Sequence, residues 1–425
     1  MSYKFLIDIA LILISTKLLG IITKRFHMPQ VVGALLAGIV LGPAAFNILQ
    51  ETDFLSQIAE LGVIVIMFSA GMGTSVKDLR ATGKAGFVVA MIGVIVPLVM
   101  GTALAYFFNR GALSSGGNIL LQNIFIGVVF TATSVSITVE ALREMGKLNT
   151  KVGDTILAAA IIDDVLGMIA LTIVTSFAGA DTKIYMILIK IALFIVFCIA
   201  VGYLAYRLLN WYAQHVNQVN LHRFPIAGFV LCLVFSYCAE QFFGMADITG
   251  AFVAGMVVAS CTKGKYIESK FEPLSYLLLS PIFFASIGIN MQITNMSGII
   301  IVLAVLMVII AIISKLIGCG IGAKLCGFTA RESIQTGLGM VCRGEVALII
   351  ANRGAQMGLM PEAFFNPLII MIIATTIITP VLLKLAFRKD TAKSEDEMSR
   401  LALQYNKTER MDIAAQEMLD EHDVK

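Results

Sequence analysis

Charge is what this chain has least of. Asp, Glu, Lys and Arg make up 14% of its 425 residues, against 58% hydrophobic residues, and the mean hydropathy is +0.89. Soluble domains carry about 25% charged residues, so that class is excluded and the composition is that of a polytopic membrane protein. Paired cysteines are missing too. The seven cysteines, at 198, 232, 238, 261, 319, 326 and 342, lie within or at the ends of apolar segments, without the spacing of a zinc site or a disulfide framework. They read as buried thiols. The first apolar run, residues 3–23, holds Asp8 and Lys17 and has no basic leader or small-residue cleavage site, so it reads as a retained span and not a signal peptide. The net charge of +3 carries no argument for nucleic acid, and none is expected as a partner.

What is present is a series of long apolar runs. A helix needs about 20 apolar residues to cross the hydrocarbon, and that ruler gives thirteen spans: 3–23, 29–46, 56–75, 85–108, 118–140, 153–178, 184–207, 223–243, 246–262, 273–291, 297–323, 333–357 and 363–387. Cytoplasmic connections carry the Lys/Arg excess. Alternate connections hold eighteen basic residues, from Lys24 and Arg25 to Lys384, Arg388 and Lys389, while the opposite side has four, Lys4, Arg110, Lys183 and Arg353. This alternation predicts an all-α bundle with the N-terminus outside and the C-terminus in the cytoplasm of a cell, with a bacterial inner membrane expected. Residues 1–388 form the transmembrane domain on this reading. Residues 389–425 form a short polar tail, too short for a nucleotide-binding regulatory domain, in which Met398, Leu401, Ile413 and Met418 hint at an amphipathic helix.

The spans repeat. VVGALLAGIVLG (31–42) aligns with DITGAFVAGMVV (247–258), placing Gly33, Ala34, Ala37 and Gly38 on Gly250, Ala251, Ala254 and Gly255 at an offset of 217. The same offset carries Ser69 and Gly71 onto Ser286 and Gly288. Matched spans are seven apart, an odd number, so each enters the membrane from the side opposite its partner. The pattern predicts an inverted-topology repeat of spans 2–6 and 9–13, with span 1 extra and span 7 a connector. Such repeats build secondary transporters, with the binding site near the midplane.

An ionisable residue at bilayer depth costs at least a few kcal/mol and marks a pathway or relay by default. Asp8, Lys190, Glu240 and Asp247 can reach an interface and read as structural, and Lys17 as a snorkelling lysine. Three sets of charge remain deep: Asp163 and Asp164 in span 6, Lys315 in span 11, and Glu345 with Arg343 nearby in span 12. At 1.5 Å per helical residue, Asp163 lies about 15 Å and Lys315 about 12 Å from the cytoplasmic end, so they can meet. Adjacent helical residues point about 100° apart, so one Asp can hold Lys315 while the other faces a water-filled cavity. Two segments at similar depth are poor helix formers: the hydroxyl-rich FTATSVSIT (130–138) and the glycine-rich GLGMVCRGEV (337–346). Broken helices in a membrane are tolerated where they line a cavity or are buried in protein, and their ends supply ion-coordinating oxygens.

TATSVSIT, IIDDVLG, the ISKLIG around Lys315, CRGEVALI and QVVGALLAGIVLGP together resemble the monovalent cation:proton antiporters of the Kef and NapA type, over residues 1 to about 388. The resemblance implies a homodimer with a scaffold of spans 1–3 and 8–10 and a transport core of spans 4–6 and 11–13. It further implies that Asp164 carries the cation and the proton, that Asp163 pairs with Lys315, and that Thr133 and Ser134 sit at a helix break. The paired Asp is similar to the sodium/proton exchangers, whereas Kef proteins carry Gln-Asp there and append a large regulatory domain. The chain departs from these relatives in AGMGTSVKDL, where an acidic residue often stands near Met72 or Gly73.

A desolvated carboxylate is penalised in its charged form, so near neutral pH it can trade a proton for a dehydrated cation. Mutually exclusive occupancy of Asp164 by sodium (or lithium) and by a proton gives exchange, with the bilayer, cations and protons as partners, no cofactor and no enzymatic reaction. The alternatives are a potassium/proton antiporter, a sodium-coupled symporter, which would not require Lys315, and a gated cation channel. One Asp pair is a poor selectivity filter, which repeats carbonyls or charges around a pore.

Overall fold

A backbone in hydrocarbon must satisfy its own hydrogen bonds, and the chain does so with helices. In the computed structural model, residues 3–25, 29–74, 76–110, 118–178, 184–215, 223–289 and 298–388 are described, and no strand occurs among them. Residues 1–383 group as one unit and 384–425 as another, of which only 384–388 are among the described residues. The expected tail helix lies outside the described residues.

The helices, in chain order, are α1 (Lys4–Arg25), α2 (Gln30–Leu41), α3 (Asp53–Gly73), α4 (Val76–Phe108), α5 (Ile119–Val129), α6 (Val135–Glu144), α7 (Lys151–Phe177), α8 (Ile184–His215) and α9 (Arg223–Cys238). They continue with α10 (Asp247–Ala259), α11 (Gly264–Leu274), α12 (Ser280–Ile289), α13 (Gly298–Leu325), α14 (Ala330–Gly339), α15 (Glu345–Gln356) and α16 (Phe365–Phe387). Among the described residues, nine helical stretches are long and apolar enough to cross a membrane. The other four expected spans fall on the shorter α2 and α10 and on the broken pairs α5/α6 and α14/α15. Length therefore establishes nine spans and leaves the count of thirteen unconfirmed.

Local chemistry sets the ends. Thr52 accepts the Leu55 N–H at the start of α3, and Asn118 accepts that of Leu121 at the start of α5, both at 3.2 Å, supplying partners for first-turn donors. Thr329 and Glu332 form a reciprocal capping box on α14. α9 closes in a π turn, Ala239–Phe243, ended by Gly244 at φ 65°, a left-handed position that suits glycine. α11 runs into α12 through a second π turn, Ser275–Leu279.

Small residues let backbones touch. A Cβ at Gly288 of α12 would stand 2.8 Å from the Gly38 carbonyl carbon of α2, and one at Gly255 of α10 would stand 2.9 Å from the Gly71 Cα of α3. The offset of 217 maps one of these contacts onto the other, so the two halves pack on each other through equivalent crossings. α4 approaches both neighbours as closely: a Cβ at Gly86 would lie 2.6 Å from the Ala158 Cβ of α7, and one at Gly322 of α13 2.7 Å from the Val89 Cα. α4 thus holds α7 and α13, the helices bearing Asp163 and Lys315, at fixed separation. α8 is peripheral, with 11% of its most apolar window buried, as befits a helix facing lipid.

Candidate functional site

Two helices stop in the interior and restart after five residues, and the two gaps meet. α5 ends at Val129 and α6 begins at Val135; α14 ends at Gly339 and α15 begins at Glu345. Each break leaves carbonyls and N–H groups without helical partners, and these are satisfied across the crossing. The Ser134 N–H donates to the Cys342 carbonyl at 2.8 Å, and the Thr138 hydroxyl donates to the Gly339 carbonyl at 2.8 Å. α16 supplies two more partners: the Thr376 hydroxyl donates to the Arg343 carbonyl at 2.8 Å, and Thr375 Oγ1 accepts the Arg343 N–H at 3.3 Å. Gly344 is needed for closeness, since a Cβ there would lie 2.6 Å from Ser134 Oγ.

Arg343 fills the other side of the crossing. Its Nη1 donates to the Ala132 carbonyl at 2.6 Å and to the Thr131 carbonyl at 3.3 Å, two oxygens of the first break itself. The guanidinium is fully buried, and its Nε and Nη2 have no hydrogen-bond partner among the described residues. Ser134 Oγ lies 3.4 Å from Ser136 Oγ.

Asp163 and Lys315 form a buried ion pair. Lys315 Nζ donates to Asp163 Oδ1 at 2.7 Å, with the side chains 0% and 2% exposed. The Thr133 hydroxyl donates to Asp163 Oδ2, also at 2.7 Å, so both carboxylate oxygens are engaged. Burial of an ion pair is tolerated only when such added bonds accompany it. Asp164, one position on, is half-buried. One turn further along α7, a Cβ at Gly167 would meet Thr131 Oγ1 at 3.9 Å. Asp163, Lys315, Thr133, Ser134 and Arg343 thus gather at the crossing. Glu345 opens α15, but its side chain lies outside the described residues.

Sequence reasoning missed some of this assembly. Thr375 and Thr376 lie in the last span, and their only signal was a hydroxyl pair in the apolar run IIATTIIT. The guanidinium contact of Arg343 with the carbonyls of the first break had no local signal at all.

A helical bundle with charges buried where two broken helices cross has the architecture of a secondary transporter. The chain belongs to the transmembrane sodium/hydrogen exchanger family, which matches residues 10–389. The Na(+)/H(+)-K(+) antiporter GerN of Bacillus cereus is 38% identical over 398 residues, covering 92% of this chain and 99% of that relative. The Na(+)/H(+) antiporter of Enterococcus hirae is 33% identical over 395 residues, covering 91% and 99%. The fold is shared with the sodium proton antiporter MjNhaP1 from Methanocaldococcus jannaschii, with a TM-score of 0.68 at 18% identity over 92% of this chain and 97% of that one. The protein is thus a multi-pass membrane transporter and not an enzyme.

Proposed function

We propose that this protein exchanges sodium (or lithium) for protons by alternating access, with Asp164 as the shared cation and proton site. The observation that supports this is the division of labour in the pair. Asp163 is buried with both oxygens engaged, by Lys315 and Thr133, and Asp164, at the next position of the same helix, is half-buried. Neutralised by a proton or by sodium, Asp164 can cross; empty and charged, it cannot, because a bare charge in hydrocarbon is too costly. Sodium here is cargo. Thr133 and Ser134 are neutral oxygens within the break, and Arg343, with Glu345 as a further core charge, supports the crossing.

On this reading α4–α7 and α13–α16 form the transport core, α1–α3 and α9–α12 the scaffold, and α8 the linker, in a homodimer with its basic connections and the 389–425 tail in the cytoplasm. Cation binding at Asp164 draws Asp163 from Lys315, and an ammonium left without its counter-charge in apolar surroundings is relieved by releasing its proton. Two protons then exchange for one cation, each net charge moved being worth about 2.3 kcal/mol per 100 mV. A second reading, potassium/proton exchange, is favoured by the name of the GerN relative, which includes K(+). Currents from vesicles of the pure protein on a solid-supported membrane separate these readings. Sodium and lithium steps are expected to give current and potassium steps none; a potassium current of equal size supports the second reading, and no current with any cation rejects electrogenic exchange.

A further inference from the structure

At the end of the bundle where α2 begins, a hydrogen-bonded contact links α2 of the proposed scaffold to α6 of the proposed transport core. α2 has Pro29 at its N-cap position with no side-chain cap, so its first N–H, on Gln30, needs a partner from elsewhere. That partner is Glu144, the last residue of α6: the Gln30 N–H is shared by Glu144 Oε1 at 2.8 Å and Oε2 at 2.7 Å. A carboxylate at a helix N-terminus is favoured by both the orphan donor and the helix dipole. Gln30 is itself anchored to the scaffold. Its Oε1 accepts the Tyr276 hydroxyl at 3.1 Å, and Tyr276 in turn accepts Lys17 Nζ at 3.2 Å.

We propose that Glu144 is a positioning residue for transport, a clasp that holds this face of the protein closed and must release α2 once in every cycle. The inference rests on the alternating-access reading. α6 carries the second half of the broken helix, so it moves with the site, while α2 is locked to α1 and α12: a Cβ at Gly33 would lie 2.6 Å from the Gly20 Cα, and one at Gly42 2.8 Å from the Ile289 Cα. Glu144 is exposed, so water can replace the α2 N–H as its partner when the contact opens, which makes opening far less costly than breaking the buried Asp163–Lys315 pair.

Two measurements test the clasp. With the seven native cysteines replaced, Gln30→Cys and Glu144→Cys are joined by a short bifunctional thiol reagent in vesicles. Joined protein is expected to lose sodium-driven proton movement, and cleavage of the cross-link to restore it. Full activity in the joined state, or no joining under any sodium gradient, overturns the proposal. Glu144→Ala in the otherwise unaltered protein gives an independent reading. Removing the clasp populates the form open at this face, so the apparent affinity for sodium offered there rises several-fold while that at the other face does not. Glu144→Gln, whose amide oxygen still accepts one bond, falls between. Equal loss at both faces indicates a merely structural role and contradicts the clasp. If the parent itself moves no protons with sodium, the exchange reading fails instead, and the two failures are distinct.

Discussion

Asp163 and Asp164 are neighbours in sequence with different surroundings, and the residue-scale predictions follow from that difference. Asp164→Asn keeps the shape and removes the titrating charge, so exchange is expected to vanish while the protein elutes from gel filtration as the parent does. Asp163 is bound into a pair, so the cost of disturbing it appears in stability. Lys315→Ala leaves a buried carboxylate uncompensated, a loss of roughly 3–5 kcal/mol, read as a lower melting temperature in detergent. Replacing Asp163 and Lys315 together by neutral residues is expected to cost less, since no bare charge remains. Equal melting of parent, single and double variants would remove the pair from the stability account. Thr133→Val takes away the second partner of Asp163, a charge-assisted bond worth about 1.5–3 kcal/mol. A detectable drop in both melting temperature and apparent sodium affinity is expected.

At the scale of helices, the two glycine crossings and the α14 cap are the tests. Gly38→Val and Gly255→Val occupy equivalent places in the two halves, and each forces a side chain into a backbone contact, costing about 1–3 kcal/mol or more. Gly83→Ala in α4 meets nothing within 4 Å, and a gain of a few tenths of a kcal/mol in helix preference is expected instead. If Gly38→Val and Gly255→Val melt as the parent does, the crossings are not close. Hydrogen bonds from the Thr329 backbone and hydroxyl hold the Glu332 carboxyl below its ordinary range. A depressed acid stabilises the folded form at pH values above its unfolded pKa, and that contribution is lost as pH falls through the folded value. The melting penalty of Glu332→Gln is therefore expected to be full near pH 7 and to shrink below about pH 4; a penalty independent of pH would deny the cap its charge. The breaks themselves were legible as a hydroxyl-rich run and a glycine-rich run, but their extents were not. The irregular stretches cover 130–134 and 340–344, while Ile137 and Thr138 are helical; the Ser134 N–H reaches the Cys342 carbonyl and the Thr138 hydroxyl the Gly339 carbonyl. Those partners are some 200 residues away in sequence, and no local pattern announces them.

For the whole molecule, apolar run length made the helical bundle readable, and the family resemblance rested on short motifs around Asp163, Lys315 and Arg343. The repeat was readable from a few small residues because close helix crossings admit little else. What stayed hidden belongs to the tertiary fold: α16 closing the second break, Arg343 seated on the carbonyls of the first break, and Glu144 capping a helix that lacks its own cap. The central claim is that one carboxylate, Asp164, couples sodium to protons. Its most direct test places the pure protein in sealed vesicles, imposes an inward sodium gradient with the membrane potential clamped, and follows internal pH with a trapped dye. The account predicts sodium-dependent proton efflux from vesicles holding the parent and none from those holding Asp164→Asn. Proton efflux of normal rate from the Asp164→Asn vesicles would contradict it.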